Sequence, residues 1–290
     1  MKQSWAQESL SIPAVIPDSQ FTPLRESISN ELSGKMDSII KTNKLWHKLV
    51  KRKKMAVGIV RLSDPSHPQV AWLNPDFTMY AASLPKIAIL LAAVQAFEKG
   101  TLKESPEILD ELALMIRKSD NQAATRFIER IGMQNIQDLL VSAPFKFYDE
   151  KKGGGLWVGK LYAKWGKKKA DPLKNLSHAA NVRQVCRFYY LLALGKIINP
   201  QRSAQILNIL SHPDIEHKFV KSLGTVYPHN RLFRKSGTWK QWHSDSILVW
   251  GKQKKNRYIL VALVEHKTGG TILKELAGIV DTLVKQDTLK

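Results

Sequence analysis

Ser83-Leu84-Pro85-Lys86 runs directly into Ile87-Ala88-Ile89-Leu90-Leu91-Ala92-Ala93-Val94-Gln95-Ala96-Phe97, and the run closes at Glu98-Lys99-Gly100. The stretch after Lys86 is apolar on nearly every side, which predicts a helix buried all round. Gly100 supplies a stop signal, and Pro85 is compatible with a helix only in its first turn. Ser83 is therefore expected at the N-terminus of a buried helix, where free backbone N–H groups favour a developing oxyanion. Lys86, three residues on, shares its face. An amine in such low-dielectric surroundings has a lowered pKa and can accept the serine proton. The ordinary alternative is an N-capping serine followed by a solvated first-turn lysine.

Two further polar motifs follow in order. Ser119-Asp120-Asn121 lies between the helical run Leu109 to Lys118 and a second one, Gln122 to Gly132. Those residue types make a competent N-cap, which explains their occurrence but not their place between the other motifs. Lys235-Ser236-Gly237 lies in Leu232 to Trp239, which reads as a strand, with further strands expected at Ser246 to Trp250 and Tyr258 to Glu265. A glycine inside a strand marks close approach of a backbone or a ligand. The competing reading there is an edge strand with an exposed lysine.

Taken together and in this order, the three motifs resemble those of the serine β-lactamase and penicillin-binding protein (DD-peptidase) superfamily, with a layout most similar to class A β-lactamases. The resemblance runs from about Arg25 to the C-terminus and is loosest between Ser142 and Asn175. It implies acyl-enzyme chemistry with Ser83 as nucleophile, Lys86 as general base and Ser119 as proton relay to the leaving nitrogen. Asn121 would hydrogen-bond a substrate amide, while Lys235 and Ser236 would hold a substrate carboxylate. Gly237 would let the strand approach, and the Thr238 and Ser83 N–H groups would form the oxyanion hole. The implied substrates are β-lactams or D-alanyl peptides. The favoured expectation is a β-lactamase-like serine hydrolase. Alternatives are a penicillin-binding protein, DD-peptidase or esterase with slow deacylation, and a non-catalytic cell-wall or ligand binder.

The chain also departs from that pattern. Class A enzymes carry a deacylating glutamate on a loop between the second and third motifs, yet Lys151 to Ala170 contains no carboxylate; Asp149, Glu150 and Asp171 stand only at its edges. The Lys86 to Ser119 interval is shorter than in class A, so the cleft is expected to be more open. Trp242-His243-Ser244-Asp245 stands where an arginine often supports the carboxylate site, leaving His243 as a partial substitute or a plain surface residue.

The fold class expected is α/β (α+β): an antiparallel sheet from both termini flanked by helices, with an inserted all-helical lobe. The α/β lobe would span 1–80 and 214–290, and the helical lobe 81–213 would carry the first two motifs. Arg25 to Val50 reads as an amphipathic helix, Met55 to Leu62 with Gln69 to Leu73 as a hairpin, and Gly270 to Gln286 as a closing helix. Gly153-Gly154-Gly155 with the lysines after it is the expected mobile loop over the cleft.

At 290 residues and 43% hydrophobic, the chain can bury a sizeable core. Its 45 Lys and Arg against 25 Asp and Glu give a net charge of +20. That field predicts general attraction to anionic envelope surfaces. Aromatics are not interleaved with basic residues as a nucleic-acid groove requires, so no specific nucleic-acid partner is expected. The single cysteine, Cys186, forbids an intramolecular disulfide and reads as core. No metal-ligand spacing occurs, so no metal or cofactor is expected, and the chain is expected to be a monomer. Met1 to Pro17 lacks a basic segment followed by an apolar one, so no signal peptide is read, and no stretch is long enough to span a membrane. The resemblance alone implies a periplasmic or secreted location.

Overall fold

The computed structural model describes residues 12–286; the first eleven residues of the segment read for an export signal lie outside them. In chain order come α1 (Asn30–Thr42), α2 (Lys44–Lys51), β1 (Met55–Arg61), β2 (Gln69–Leu73), β3 (Met79–Tyr80), α3 (Lys86–Glu98), α4 (Pro106–Arg117), α5 (Asn121–Ile131) and α6 (Met133–Val141). The short strands β4 (Tyr148–Asp149), β5 (Gly154–Gly155), β6 (Trp157–Val158) and β7 (His178–Ala180) precede α7 (Val182–Ala193), α8 (Pro200–Leu210) and α9 (Phe219–Leu223). The chain returns to the sheet as β8 (Leu232–Trp239), β9 (Trp242–Trp250) and β10 (Arg257–Glu265), and closes with α10 (Gly269–Gln286).

Five strands form one antiparallel sheet in the order β2-β1-β10-β9-β8, so strands from both ends of the chain pair directly. Alternation of side chains along each strand builds two apolar faces. In β10, Ile259, Val261 and Leu263 face the core shared with α3 and α7. Tyr258, Leu260, Ala262 and Val264 face the core covered by α1 and α10. The result is the mixed helix and antiparallel-sheet fold expected from the sequence. No described helix is long and apolar enough to cross a membrane.

Helix α3 is buried along nearly its whole length, as its uninterrupted apolar run demands. It is preceded by a turn that holds Ser83, half-buried, so the serine stands just ahead of the helix rather than within it. Cys186 is buried in α7.

Three expectations are corrected. The segment Arg25 to Val50 holds two helices, because the Asn43 side chain accepts from Trp46 N–H at 3.1 Å and starts a second one. The stretch 81–213, expected to be all-helical, also contains short strands: β6 and β7 join β3 in a small second sheet. The Gly153 to Gly155 run is not a loop tip. Gly154 and Gly155 are buried strand residues, and a Cβ on Gly153 would lie 2.2 Å from Asp76 O, one on Gly155 2.0 Å from Phe147 O. These glycines let backbones touch; they do not confer movement.

The sheet also buries an ion pair. Arg234 of β8 donates to both carboxylate oxygens of Asp245 in β9, each at 2.8 Å, with both side chains almost completely enclosed. Asp245 further accepts from Phe219 N–H at 3.1 Å, which fixes the start of α9. Replacement of Asp245 by alanine strands a buried guanidinium and is expected to cost about 3–5 kcal/mol, read as a fall in the urea midpoint.

Candidate active site

The turn before α3 is held in a strained shape. Ala82 has φ of 49°, a left-handed conformation that a non-glycine residue adopts only when its surroundings impose it. Leu84 N–H donates to Ala81 O at 3.0 Å and Lys86 N–H to Ser83 O at 3.2 Å. The other wall of the site is the edge strand β8. At Gly237 it approaches this turn so closely that a Cβ would lie 2.3 Å from Ala81 O and 2.6 Å from Ser83 N. Ser244 of β9, opposite Gly237 in register, donates to Ala81 O at 2.8 Å and stitches the two walls together.

Lys86 is fully buried. Its Nζ donates to Ser119 O at 2.6 Å, Asp120 O at 3.1 Å and Asn121 Oδ1 at 2.8 Å. Burial pulls its pKa down to about 7, against the upward pull of the Asp120 carboxylate. Ser119 has φ of 58°, a second strained residue, and its Oγ accepts from Lys235 Nζ at 2.8 Å. Asp120 caps α5 by accepting from Ala123 N–H at 2.6 Å. The S-D-N segment thus serves as a helix cap and a lysine cage at once.

Lys235 is buried, and burial followed by the nearby Lys86 and Arg234 charges holds its pKa well below the usual lysine range. Ser236 Oγ lies 3.2 Å from His217 Nε2. Lys218 Nζ donates to Gly237 O at 2.6 Å, Thr238 Oγ1 at 2.7 Å and Ser244 O at 3.1 Å. Burial lowers the Lys218 pKa to about 8, and burial followed by the Arg234 and Lys218 charges lowers that of His217 to about 4. Around the cleft, Lys86, Lys218, Lys235 and Arg234 face only two carboxylates within these contacts, Asp120 and Asp245. An anionic group entering beside Lys235 favours the charged form of these buried amines.

The contacts join Ser83, Lys86, Ser119, Asn121, Lys235, Ser236, Gly237 and Thr238 into one cleft. His243 is not part of it. Strand alternation turns its ring to the far side of β9, where a Cβ on Gly269 of α10 would lie 2.5 Å from its Cδ2; Ser244 faces the cleft instead.

The sequence model of the beta-lactamase enzyme family matches residues 103–285, a stretch that includes the second and third motifs. The chain belongs to the beta-lactamase enzyme family. Among solved structures, PBP-A is similar with a TM-score of 0.65 at 17% identity, covering 92% of this chain and 98% of that one. A PBP-A variant, solved as an acyl-enzyme complex with penicillin G, is similar with a TM-score of 0.63 at 18% identity over the same shares. A class A β-lactamase representative from Bacteroides cellulosilyticus DSM 14838 has a TM-score of 0.63 at 16% identity, covering 88% of this chain and 99% of that one. At these identities the structural likeness speaks for the fold alone. No curated protein matches the chain in sequence.

In this β-lactamase-family chain, the loop between the second and third motifs brings an aromatic ring to the buried lysine. Tyr162 places its ring centroid 4.6 Å from Lys86 Nζ and donates its O–H to Ala82 O at 3.1 Å. Burial, with a smaller push from Tyr80, keeps its phenol pKa well above the usual value, so the hydroxyl stays protonated and cannot serve as a base. The His178 ring packs 4.1 Å behind it. None of the edge acids is hydrogen-bonded to Lys86 or Tyr162. Asp171 is spent within its own loop, accepting from Tyr148 O–H at 2.8 Å and from the N–H groups of Leu173, Lys174 and Leu176. Asp149 accepts from Lys151 N–H at 3.1 Å. Among the described residues, no carboxylate is hydrogen-bonded to Ser83 or Lys86.

Tyr162, His217, Lys218 and Ser244 are the members of the site that sequence reading missed. Lys218 stands in Glu216-His217-Lys218-Phe219, which has no motif character. Ser244 could have been found from strand parity once the Gly237 register was known. Replacement of Gly237 by alanine forces β8 away from Ser83, and the expected cost is about 1–3 kcal/mol, measured as a lowered thermal midpoint.

Proposed function

We propose that this protein is a serine acyl-transfer enzyme that reacts with carboxylate-bearing amides, β-lactams among them, and releases the acyl group slowly. The observation that carries this reading is the Tyr162 ring at 4.6 Å from Lys86 Nζ, where a proton-accepting carboxylate would be needed to activate water.

The chemistry follows from the contacts. All three N–H donors of the Lys86 ammonium are engaged; loss of one proton frees a lone pair for the Ser83 hydroxyl. Ser83 Oγ attacks the substrate carbonyl, a C–O bond forms, and the hydroxyl proton passes to Lys86. The negative charge on the carbonyl oxygen is met by the N–H groups of Ser83 and Thr238. Ser119 Oγ, accepting from Lys235, keeps its own proton free for the leaving nitrogen as the C–N bond breaks; Lys86 then restores that proton. The Asn121 Oδ1 is held by Lys86, so its amide N–H groups are left for the substrate. Lys235 and Ser236 hold the carboxylate end. Hydrolysis requires a second activation, of water, and Tyr162 offers a donor already committed to Ala82 O.

Two outcomes test it. Only the neutral amine of Lys86 can accept a proton, and its pKa is lowered to about 7. Labelling by a fluorescent penicillin is therefore expected to slow as pH falls below about 7 and to level off above it. Lys86→Ala is expected to lose on the order of 10²–10⁴ in labelling rate and to flatten that pH profile; an unchanged profile would remove Lys86 from the base role. Tyr162→Glu sets a carboxylate beside Lys86. The adduct is expected to decay on the order of 10²-fold faster than in wild type, followed by the loss of label with time.

A further inference from the structure

The edge strand β8 carries Lys235 to Thr238 past Ser83 and ends at Trp239, four residues and roughly 13 Å beyond Lys235 at the usual strand rise. There it meets a cavity of about 560 Å³. Trp239, 54% exposed, forms one wall, and Trp242 forms another with its ring edge-on to Tyr80 at 5.6 Å. The lining has five cationic side chains and a single carboxylate, Glu265. That carboxylate is already taken, accepting from Lys54 Nζ at 2.8 Å and from Gln241 Nε2 at 3.1 Å.

Two of the cations are in an unusual relation. Lys53 and Lys174, 121 positions apart in the chain, bring their ammonium groups to 5.5 and 4.8 Å from the centroid of the same ring, Phe77. Among the described residues, neither is paired with a carboxylate. With the one lining carboxylate engaged, the charge of these cations is left for a counter-anion. The cavity combines this charge with aromatic walls, so it fits an acidic group on an extended chain better than a bare ion.

We infer that this cavity is an anion-binding subsite for an acidic group on the acyl side of the substrate. The direction rests on the proposed function. With the substrate carboxylate at Lys235 and the reacting carbonyl at Gly237, the acyl portion extends along β8 towards Trp239. Carboxylates and phosphates both meet the chemistry, and the test separates them.

Calorimetric binding of triglutamate and of tripolyphosphate to Ser83→Ala protein isolates the subsite from the serine chemistry. At least one of the two is expected to bind, and the tighter one identifies the acidic group. Lys53→Glu combined with Lys174→Glu is expected to weaken that binding by tenfold or more. Lys53→Gln with Lys174→Gln, a milder change at two exposed positions, is expected to weaken it less. Absence of binding by both probes, or binding indifferent to these substitutions, overturns the subsite. A parallel comparison uses two acylating amides that differ only in an acidic or a neutral acyl tail. The acidic one is expected to show a tenfold advantage in kcat/KM that the double charge reversal abolishes. Equal acylation by both overturns the subsite and leaves the serine reading standing. Loss of anion binding on charge reversal, without acylation by either amide, supports the subsite and overturns the serine reading.

Discussion

The close approach of Gly237 to the Ala81–Ser83 turn is the constraint on which the site depends. A strand from the C-terminal part of the chain must press its backbone against the turn ahead of a helix from the middle, within a distance that leaves no room for a Cβ. Everything that holds the cleft serves this contact. Ser244 stitches β9 to Ala81, Lys218 bridges β8 and β9 from beneath, and Tyr162 ties Ala82 from the opposite side. The left-handed backbone at Ala82, Ser119 and Lys218 is the conformational cost of converging three chain segments on one point, and it persists because the surrounding contacts over-determine it.

A second consequence is electrostatic. Four cationic side chains lie in or under the cleft with two carboxylates among them, and burial depresses the pKa of Lys86, Lys218 and Lys235. Burial favours the neutral amines, and an anionic guest shifts them back towards the charged form. The Tyr162 ring resolves the burial of Lys86 differently from a carboxylate. It offers a polarisable face to a cation without fixing the proton; on the proposed reading the lysine then remains a base, and the group that would activate water is withheld. The proposed function thus separates proton acceptance for acylation from proton acceptance for deacylation.

Much of this was legible in the sequence because the motifs are local. The buried helix after Ser83, the cap at Asp120 and the glycine in β8 each declare their chemistry within a few residues. The short apolar strands at both ends pointed to the sheet for the same reason. What the sequence concealed lies in long-range encounters. Nothing near Lys218 says that its amine bonds a strand residue nineteen positions on, and nothing near Tyr162 says that its ring covers Lys86. The two readings of His243 stayed open because side-chain direction in β9 depends on pairing with β8, which composition does not give. The Gly153 to Gly155 run read as a loop since triple glycine is permissive. Its actual use is close backbone contact with Asp76 and Phe147, and neither partner is visible in sequence.

The central claim is that acylation at Ser83 outlives its formation because the site lacks a base for water. Intact-protein mass spectrometry over hours after a brief pulse of penicillin G, with Ser83→Ala beside the wild type, measures it most directly. The account predicts one adduct per chain on the wild type alone, formed within minutes and still present after free antibiotic is removed. Rapid return of the wild type to its unmodified mass with continued consumption of penicillin would contradict it, as would an equal adduct on Ser83→Ala.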